Sequence, residues 1–385
     1  MSPDVRTAIS SMARSGIRHV MDLAWATPDV VHLEVGEPDF ATPLHICEAA
    51  ASAIMAGHTR YTPNAGILPL REAIAEKVTK RNGFVTDPSQ VVVSAGAVEA
   101  IYASLLSIMD PGDDILLPDP GWPNFRMMAS LLSANVIYYP LRAANGFMPD
   151  PEEIRSLVTP RTRAILINSP SNPLGTVIAG NVLEAIYAVA CQHDLVIVSD
   201  ECYDEITFDQ PMFSPARLDV DERVISTYSF SKTYAMTGWR VGYAIAPVKI
   251  AAELSKVQEP LVSCVSGPAQ YAALAALEGG QQCVEDMRAT YQERRDFALR
   301  IAAEFGINCI RPEGAFYLWV DIRDSTTPSL EFALALINNH RVALAPGSAF
   351  GEQGEGWVRV SLANSTEAIE TGLNAIYRQL SHSPS

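Results

Sequence analysis

Residues 223–246 read RVISTYSFSKTYAMTGWRVGYAIA, two apolar runs with a polar turn between them. The first run, Arg223 to Tyr228, reads as a strand, and the second begins at Val241. Lys232 stands just past the end of the first, with Ser229 and Ser231 before it and Arg240 eight residues after it. A lysine suits the mouth of a buried α/β crevice only if its amine is used. Desolvated beside another cation, it loses its proton readily and becomes a nucleophile toward carbonyl carbon. Arg240, Ser229 and Ser231 offer a planar guanidinium and hydroxyl donors, a set that matches phosphate oxygens. Strand-end lysines are also common on solvated surfaces, so the segment does not decide alone.

Its neighbours along the chain give it context. Apolar runs QVVVSAG (90–96), DDILLPD (113–119), NVIYYPL (135–141), RAILINSP (163–170) and LVIVSDE (195–201) precede RVISTYSF (223–230) and VGYAIAP (241–247). Val98 to Met109 and Val182 to Cys191 carry helical spacing between them. Near-continuous apolar strands separated by helices predict an α/β fold, a mostly parallel sheet covered on both faces. In such sheets ligand groups gather at the carboxyl ends of strands. The C-terminal third differs: a charged helical stretch from Cys283 to Phe305, then GAFYLWVDI (314–322), a helix near 330–339, VALAPG and WVRVSLA (357–363). This reads as a separate, smaller α+β domain. The expected division is an N-terminal arm with part of the small domain (1–45), a large domain (46–282) and a small domain (283–385), the SHSPS tail being left without structure.

Bulk composition narrows the function. The 385 residues are enough for about two to three structural units. With 28 Lys+Arg against 44 Asp+Glu the net charge is −16, which argues against a nucleic-acid or anionic-membrane surface. Six cysteines form no CxxC pair and no metal-ligand spacing, and they suit a reducing compartment. The opening MSPDVRTAISSMARSG lacks the basic head and apolar core of a secretory signal. No apolar run approaches the ~20 residues of a membrane helix. A soluble cytoplasmic protein is expected.

The chemistry-bearing residues fall at strand ends. Asn172 lies in NSPSNPLG, where prolines and Gly175 set a tight turn. Asp200 follows VIVS at the crevice floor, where a carboxylate without a partner is costly; a protonated pyridine nitrogen would resolve that cost. Tyr203 could donate to a phenolate oxygen. Gly96, Ala97 and Val98 link a strand to a helix, so their amides can cradle a phosphate. Trp122, in PGWPN, offers a flat ring for stacking. Arg359 is a cation within an apolar run, and facing inward it needs an anion. A turn asparagine, an N-cap aspartate, a core tyrosine and a structural tryptophan are the plain alternatives for four of these. An imine-forming lysine beside a phosphate site points to pyridoxal phosphate.

LEVGEPDF, YTPNAG, NSPSNPLG, SDECYDEI, SFSKTYAMTGWRVGY and WVRVSLA, in this order from about Leu33 to Leu362, resemble the class I and II (fold type I) pyridoxal-phosphate aminotransferases, the aspartate aminotransferase superfamily. The resemblance implies a seven-stranded large-domain sheet and a homodimer with composite active sites. It implies that Lys232 forms the aldimine and acts as general base in ping-pong half-transaminations between an L-amino acid and a 2-oxo acid. Asp200 would pair with the ring nitrogen, Asn172 and Tyr203 with the phenolate oxygen, and Trp122 with the ring face. Ser229, Ser231, Arg240 and the Ala97 and Val98 amides would hold the phosphate, joined by Tyr61 from the other subunit. Arg359, with Gly36 and Asn172, would bind the substrate carboxylate.

Two departures bear on specificity. The stretch 257–271, where some relatives carry an arginine for a side-chain carboxylate, has no Arg or Lys here, and the cradle position where others carry lysine is Val98. Neutral donors are therefore expected. A 2-oxoglutarate acceptor would still bring a second carboxylate, which Arg14 or Arg18 of the N-terminal segment could meet. A β-eliminating C–S lyase on the same fold and a non-catalytic cofactor-sensing domain are the competing readings.

Overall fold

The structure is a computed structural model and describes residue 9 and residues 16–381. Arg14 and the residues after Ser381 lie outside the described residues. A seven-stranded sheet runs in the order Val91–Ser94, Gly242–Ile245, Val224–Ser229, Val196–Asp200, Thr162–Asn168, Asp114–Asp119, Asn135–Pro140. Every neighbouring pair is parallel except those of Gly242–Ile245, which runs against both of its neighbours. This is the mostly parallel α/β architecture of fold type I. The reversal has a local use: it brings Arg240, just before that strand, to the edge where the parallel strands end.

Alternation along the strands explains why both faces are covered. Ile115, Leu117, Ala164, Leu166, Val196 and Val198 pack into one apolar cluster, while Leu116, Ile165, Ile167 and Ile197 pack into another on the opposite face. Successive side chains point to opposite faces, so a run of consecutive apolar residues can serve two cores. Each fully buried aliphatic side chain contributes about 1.5–3 kcal/mol. Helices Ala97–Ile108 and Val248–Val262 supply the first cluster, and Gly180–His193 the second. The edge strand Asn135–Pro140 is only partly covered.

A four-stranded antiparallel sheet follows, ordered Ala345–Pro346, Trp357–Ser361, Tyr317–Asp321, Cys309–Ile310. Helices Gln282–Glu304 and Thr366–Ser381 share its apolar cluster. Val31–His32 pairs in parallel with Val342–Ala343, so a segment early in the chain is tied to the C-terminal third. Where NSPSNPLG turns, Gly175 has φ +70°, and a Cβ there would meet Pro312 Cβ at 2.7 Å and the Tyr317 carbonyl at 2.9 Å. Its own carbonyl accepts the Glu313 and Gly314 amides. The two sheets are thus joined next to Asn172.

One buried carboxyl lies on the sheet side away from the strand-end cavity. Glu201 is fully buried, and Ser214, Ser226 and Tyr228 donate hydroxyls to it at 2.9, 2.8 and 2.7 Å. Burial outweighs these donors and pushes its carboxyl up from 4.5 to about 7. The folded chain therefore holds this proton more tightly than the unfolded chain. That stabilisation is complete below pH 4.5 and is lost as the pH rises through 7. Glu201→Gln should lack this dependence. In denaturant unfolding, the wild type should lose ground to the variant across that window, by ~3 kcal/mol at most. A stability difference between the two that does not change with pH would refute the assignment.

Candidate active site

Twelve of the thirteen residues singled out above line one cavity of roughly 280 Å³ at the carboxyl ends of the large-sheet strands: Gly36, Ala97, Val98, Trp122, Asn172, Asp200, Tyr203, Ser229, Ser231, Lys232, Arg240 and Arg359. Tyr61 is not among them; it is 89% exposed on its own chain. Sequence reasoning missed Ile17, Met21, Glu34, Val35, Cys202, Thr237 and Tyr317, which also line the cavity.

Ser229 ends its strand and its Oγ accepts the Ser231 amide at 3.1 Å, opening the short helix Phe230–Thr233. That turn presents Lys232, whose Nζ donates to the Gly36 carbonyl at 2.6 Å. Burial pulls the Lys232 ammonium down to about 8, helped by the Arg359 and Arg240 charges and opposed by Cys202 and Glu37. Asp200, at the end of the adjacent strand, accepts the Cys202 amide at 3.2 Å. Burial pushes its carboxyl up to about 6, against the donors at Cys202 and the charge of Lys232. A cationic N–H partner facing Asp200 would reverse that displacement.

The other end of the cavity is built for an anion. Gly96, φ +86°, precedes helix Ala97–Ile108 with no side-chain cap, leaving the Ala97 and Val98 amides to an outside partner. A Cβ on Gly96 would meet Arg240 Nη2 at 2.5 Å, so the residue must be glycine for the guanidinium to approach. Arg240, itself at φ +53°, is held by the Thr237 and Ala95 carbonyls at 2.8 and 3.1 Å. Helix amides, the Ser229 and Ser231 hydroxyls and Arg240 make a donor set for a phosphate, with an acid and an amine further into the same cavity. The site fits pyridoxal phosphate on these grounds.

Arg359 is 3% exposed. Its guanidinium donates to Asn172 Oδ1 at 2.7 Å and to the Glu34 carbonyl, and stacks over the Tyr317 ring at 4.3 Å. Asn172 is held in turn, its amide donating to Asn168 Oδ1 at 2.8 Å. Of the two orientations open to Arg359, inward toward an anion or outward as a surface residue, the inward one is observed. Its Nε has no partner among the described residues, which leaves a donor for an incoming anion. Tyr203 bonds the Tyr317 hydroxyl at 2.6 Å, a contact no sequence pattern announced.

Comparison with known proteins agrees with this geometry. The family model "Aminotransferase class I and II" matches residues 28–376. The chain is 39% identical over 371 residues, 95% of each chain, to aromatic-amino-acid aminotransferase 2 of Thermococcus litoralis. It is equally similar, 39% over 371 residues and 95% of each chain, to an aspartate aminotransferase of Pyrococcus abyssi. The solved aspartate aminotransferase of Thermus thermophilus with maleate matches the fold with a TM-score of 0.93 at 35% identity, covering 98% of this chain and 100% of that one. A lysine, an aspartate and an arginine on one cavity, an anion cradle beside them and full-length similarity lead to one conclusion: this chain belongs to the class I and II aminotransferases, enzymes that use pyridoxal phosphate to move an amino group between an amino acid and a 2-oxo acid.

Proposed function

We propose that this aminotransferase works best on amino acids with neutral side chains, through Lys232, Asp200 and Arg359 in the roles given below. The observation that carries the reading is the allocation of cations. Among the described residues, Lys232, Arg240 and Arg359 are the cationic side chains lining the cavity. Arg240 belongs to the phosphate cradle, Lys232 to the reacting carbon and Arg359 to the α-carboxylate. The remaining wall includes Ile17, Met21, Val35, Val98, Trp122 and Tyr317. Arg18 is exposed and lies against Trp25 at 5.7 Å, away from the cavity lining.

The bound cofactor supplies an electron sink for the carbanion at the α-carbon. Arg359, with Asn172, fixes the carboxylate and so aims the α-hydrogen. Lys232 Nζ, with its proton affinity lowered by burial, takes the α-proton near neutral pH and would hold it for delivery to the cofactor's aldehyde carbon, not back to the α-carbon. With the cofactor bound, Asp200 would keep a proton on the ring nitrogen, Tyr203 and Asn172 would donate to the phenolate oxygen, and Trp122 would offer its ring for stacking. Among the described residues, none favours β-elimination or mere cofactor sensing over transfer.

The assembly we propose is a homodimer in which Tyr61 reaches the partner's phosphate; its near-complete exposure supports this. The six free cysteines suit the cytoplasm. The pairing of Val31–His32 with Val342–Ala343 supports a division into 1–45 with 283–385 against 46–282.

Three outcomes are expected. Lys232→Ala should abolish turnover and leave the cofactor uncoupled from the chain after borohydride; recovery of the label on another lysine would end the assignment. Under one fixed acceptor, kcat/KM for phenylalanine, leucine or methionine should exceed that for aspartate by about 100-fold, because a buried carboxylate without a partner costs several kcal/mol. Aspartate as the best donor would overturn the specificity while leaving transfer intact. Mixing Lys232→Ala with Tyr61→Ala subunits should restore about a quarter of the sites, since half the dimers are hybrids with one complete site. A fully active monomer would contradict the composite site.

A further inference from the structure

Tyr203 and Tyr317 are both buried, and their hydroxyls lie 2.6 Å apart with the rings edge to face at 79°. They come from different sheets: Tyr203 from the turn after Val196–Asp200, Tyr317 from the first position of Tyr317–Asp321. Each hydroxyl has one proton, so only one of them donates across this contact. Gly36 makes room for the pair, since a Cβ there would meet the Tyr317 oxygen at 2.1 Å. The Arg359 guanidinium sits over the Tyr317 ring, 4.3 Å from its centroid.

We propose that Tyr317 is a positioning residue for the reaction: it donates a hydrogen bond to Tyr203, which commits the Tyr203 hydroxyl proton to the cofactor's phenolate oxygen, and it carries the pairing of Arg359 with a carboxylate to that oxygen. The inference rests on the role given to Tyr203 above. If Tyr203 donates to the phenolate, its only proton is used, and Tyr317 must be the donor in the 2.6 Å contact. A cation over the ring face makes the phenol a better donor, and the chain of two hydroxyls passes the effect on. The titratable or charged groups facing the pair are Arg359, Asp200 and Cys202. Burial raises both phenols, and Arg359 opposes the rise in each. When a substrate carboxylate pairs with Arg359, that pull weakens and the phenolate oxygen gains proton affinity. Occupancy of the carboxylate site is thereby reported at the reacting end. Asn172, also bonded to Arg359, forms a parallel route, so the Tyr317 share is partial.

The test uses four holoenzymes: wild type, Tyr203→Phe, Tyr317→Phe and the double variant. The readout is the pH titration of the cofactor's visible absorption. Tyr317→Phe should raise the midpoint by roughly 0.5 to 1 pH unit, the size of one hydrogen bond. Tyr203→Phe should raise it further, and the double variant no further than Tyr203→Phe alone. The carboxylic acid 3-phenylpropionate, which has no amine to transfer, should raise the wild-type midpoint and raise that of Tyr317→Phe less. An unmoved midpoint in Tyr203→Phe would overturn the Tyr203 role itself. A shifted Tyr203→Phe with an unmoved Tyr317→Phe, or additive shifts in the double variant, would overturn the Tyr317 inference alone. Should Tyr317→Phe not fold, Gly36→Ala displaces the same hydroxyl and should give the same shift.

Discussion

A guanidinium that is 3% exposed and bonded to two neutral oxygens is the constraint around which this molecule is arranged. Taking such a cation out of water costs several kcal/mol, and Asn172 Oδ1 and the Glu34 carbonyl return only part of it. Burial accordingly lowers the proton affinity of Arg359. The three segments that meet there are the loop around Glu34, the turn of Asn172 and the strand Trp357–Ser361. Each belongs to a different stretch of the chain. Placing the cation therefore requires both sheets to be docked, and the Gly175 turn against residues 312–317 is one of the contacts that dock them.

The same unease recurs along the cavity. Lys232 is pulled toward neutrality and Asp200 toward protonation, each mainly by burial. Helix Ala97–Ile108 opens without a side-chain cap. The partners recorded for Lys232, Asp200 and Arg359 are neutral groups: the Gly36 carbonyl, the Cys202 amide, and the Asn172 Oδ1 and Glu34 carbonyl. Sequences ordinarily avoid such unmet demands in their interiors, and their concentration in one place marks a site rather than a packing fault.

Much of this was legible because the site is made of strand ends. An apolar run reports its own length, and the polar residue that breaks it is at the carboxyl edge by construction. Lys232, Asp200 and Asn172 could be found that way, as could the sheet itself, whereas Arg240 precedes its run and was found by its spacing from Lys232. Tyr317 could not. It lies inside GAFYLWVDI, where every neighbour is apolar and nothing tells which face meets the cavity. Ile17 and Met21 are four apart on helix Gly16–Ala26, but that spacing is shared by any amphipathic helix. Glu201 stands one residue from Asp200 and points to the other side of the sheet, where three hydroxyls from distant segments receive it. Strand direction was hidden too: VGYAIAP reads as buried strand whichever way it runs.

That reversed strand, Gly242–Ile245, has a consequence for anyone redesigning the enzyme. It is hydrogen-bonded on both sides, so the backbone just after Arg240 is fixed by the interior of the sheet, while the guanidinium itself is held by the Thr237 and Ala95 carbonyls. The wall formed by Ile17 and Met21 belongs instead to a helix that packs on the C-terminal third. Arg240 and the Ile17 and Met21 part of the wall thus sit on separate pieces of the fold, while Val98 belongs to both ends of the cavity. Substitutions confined to helix Gly16–Ala26 can therefore reshape the Ile17 and Met21 wall without touching Arg240 or the strand behind it.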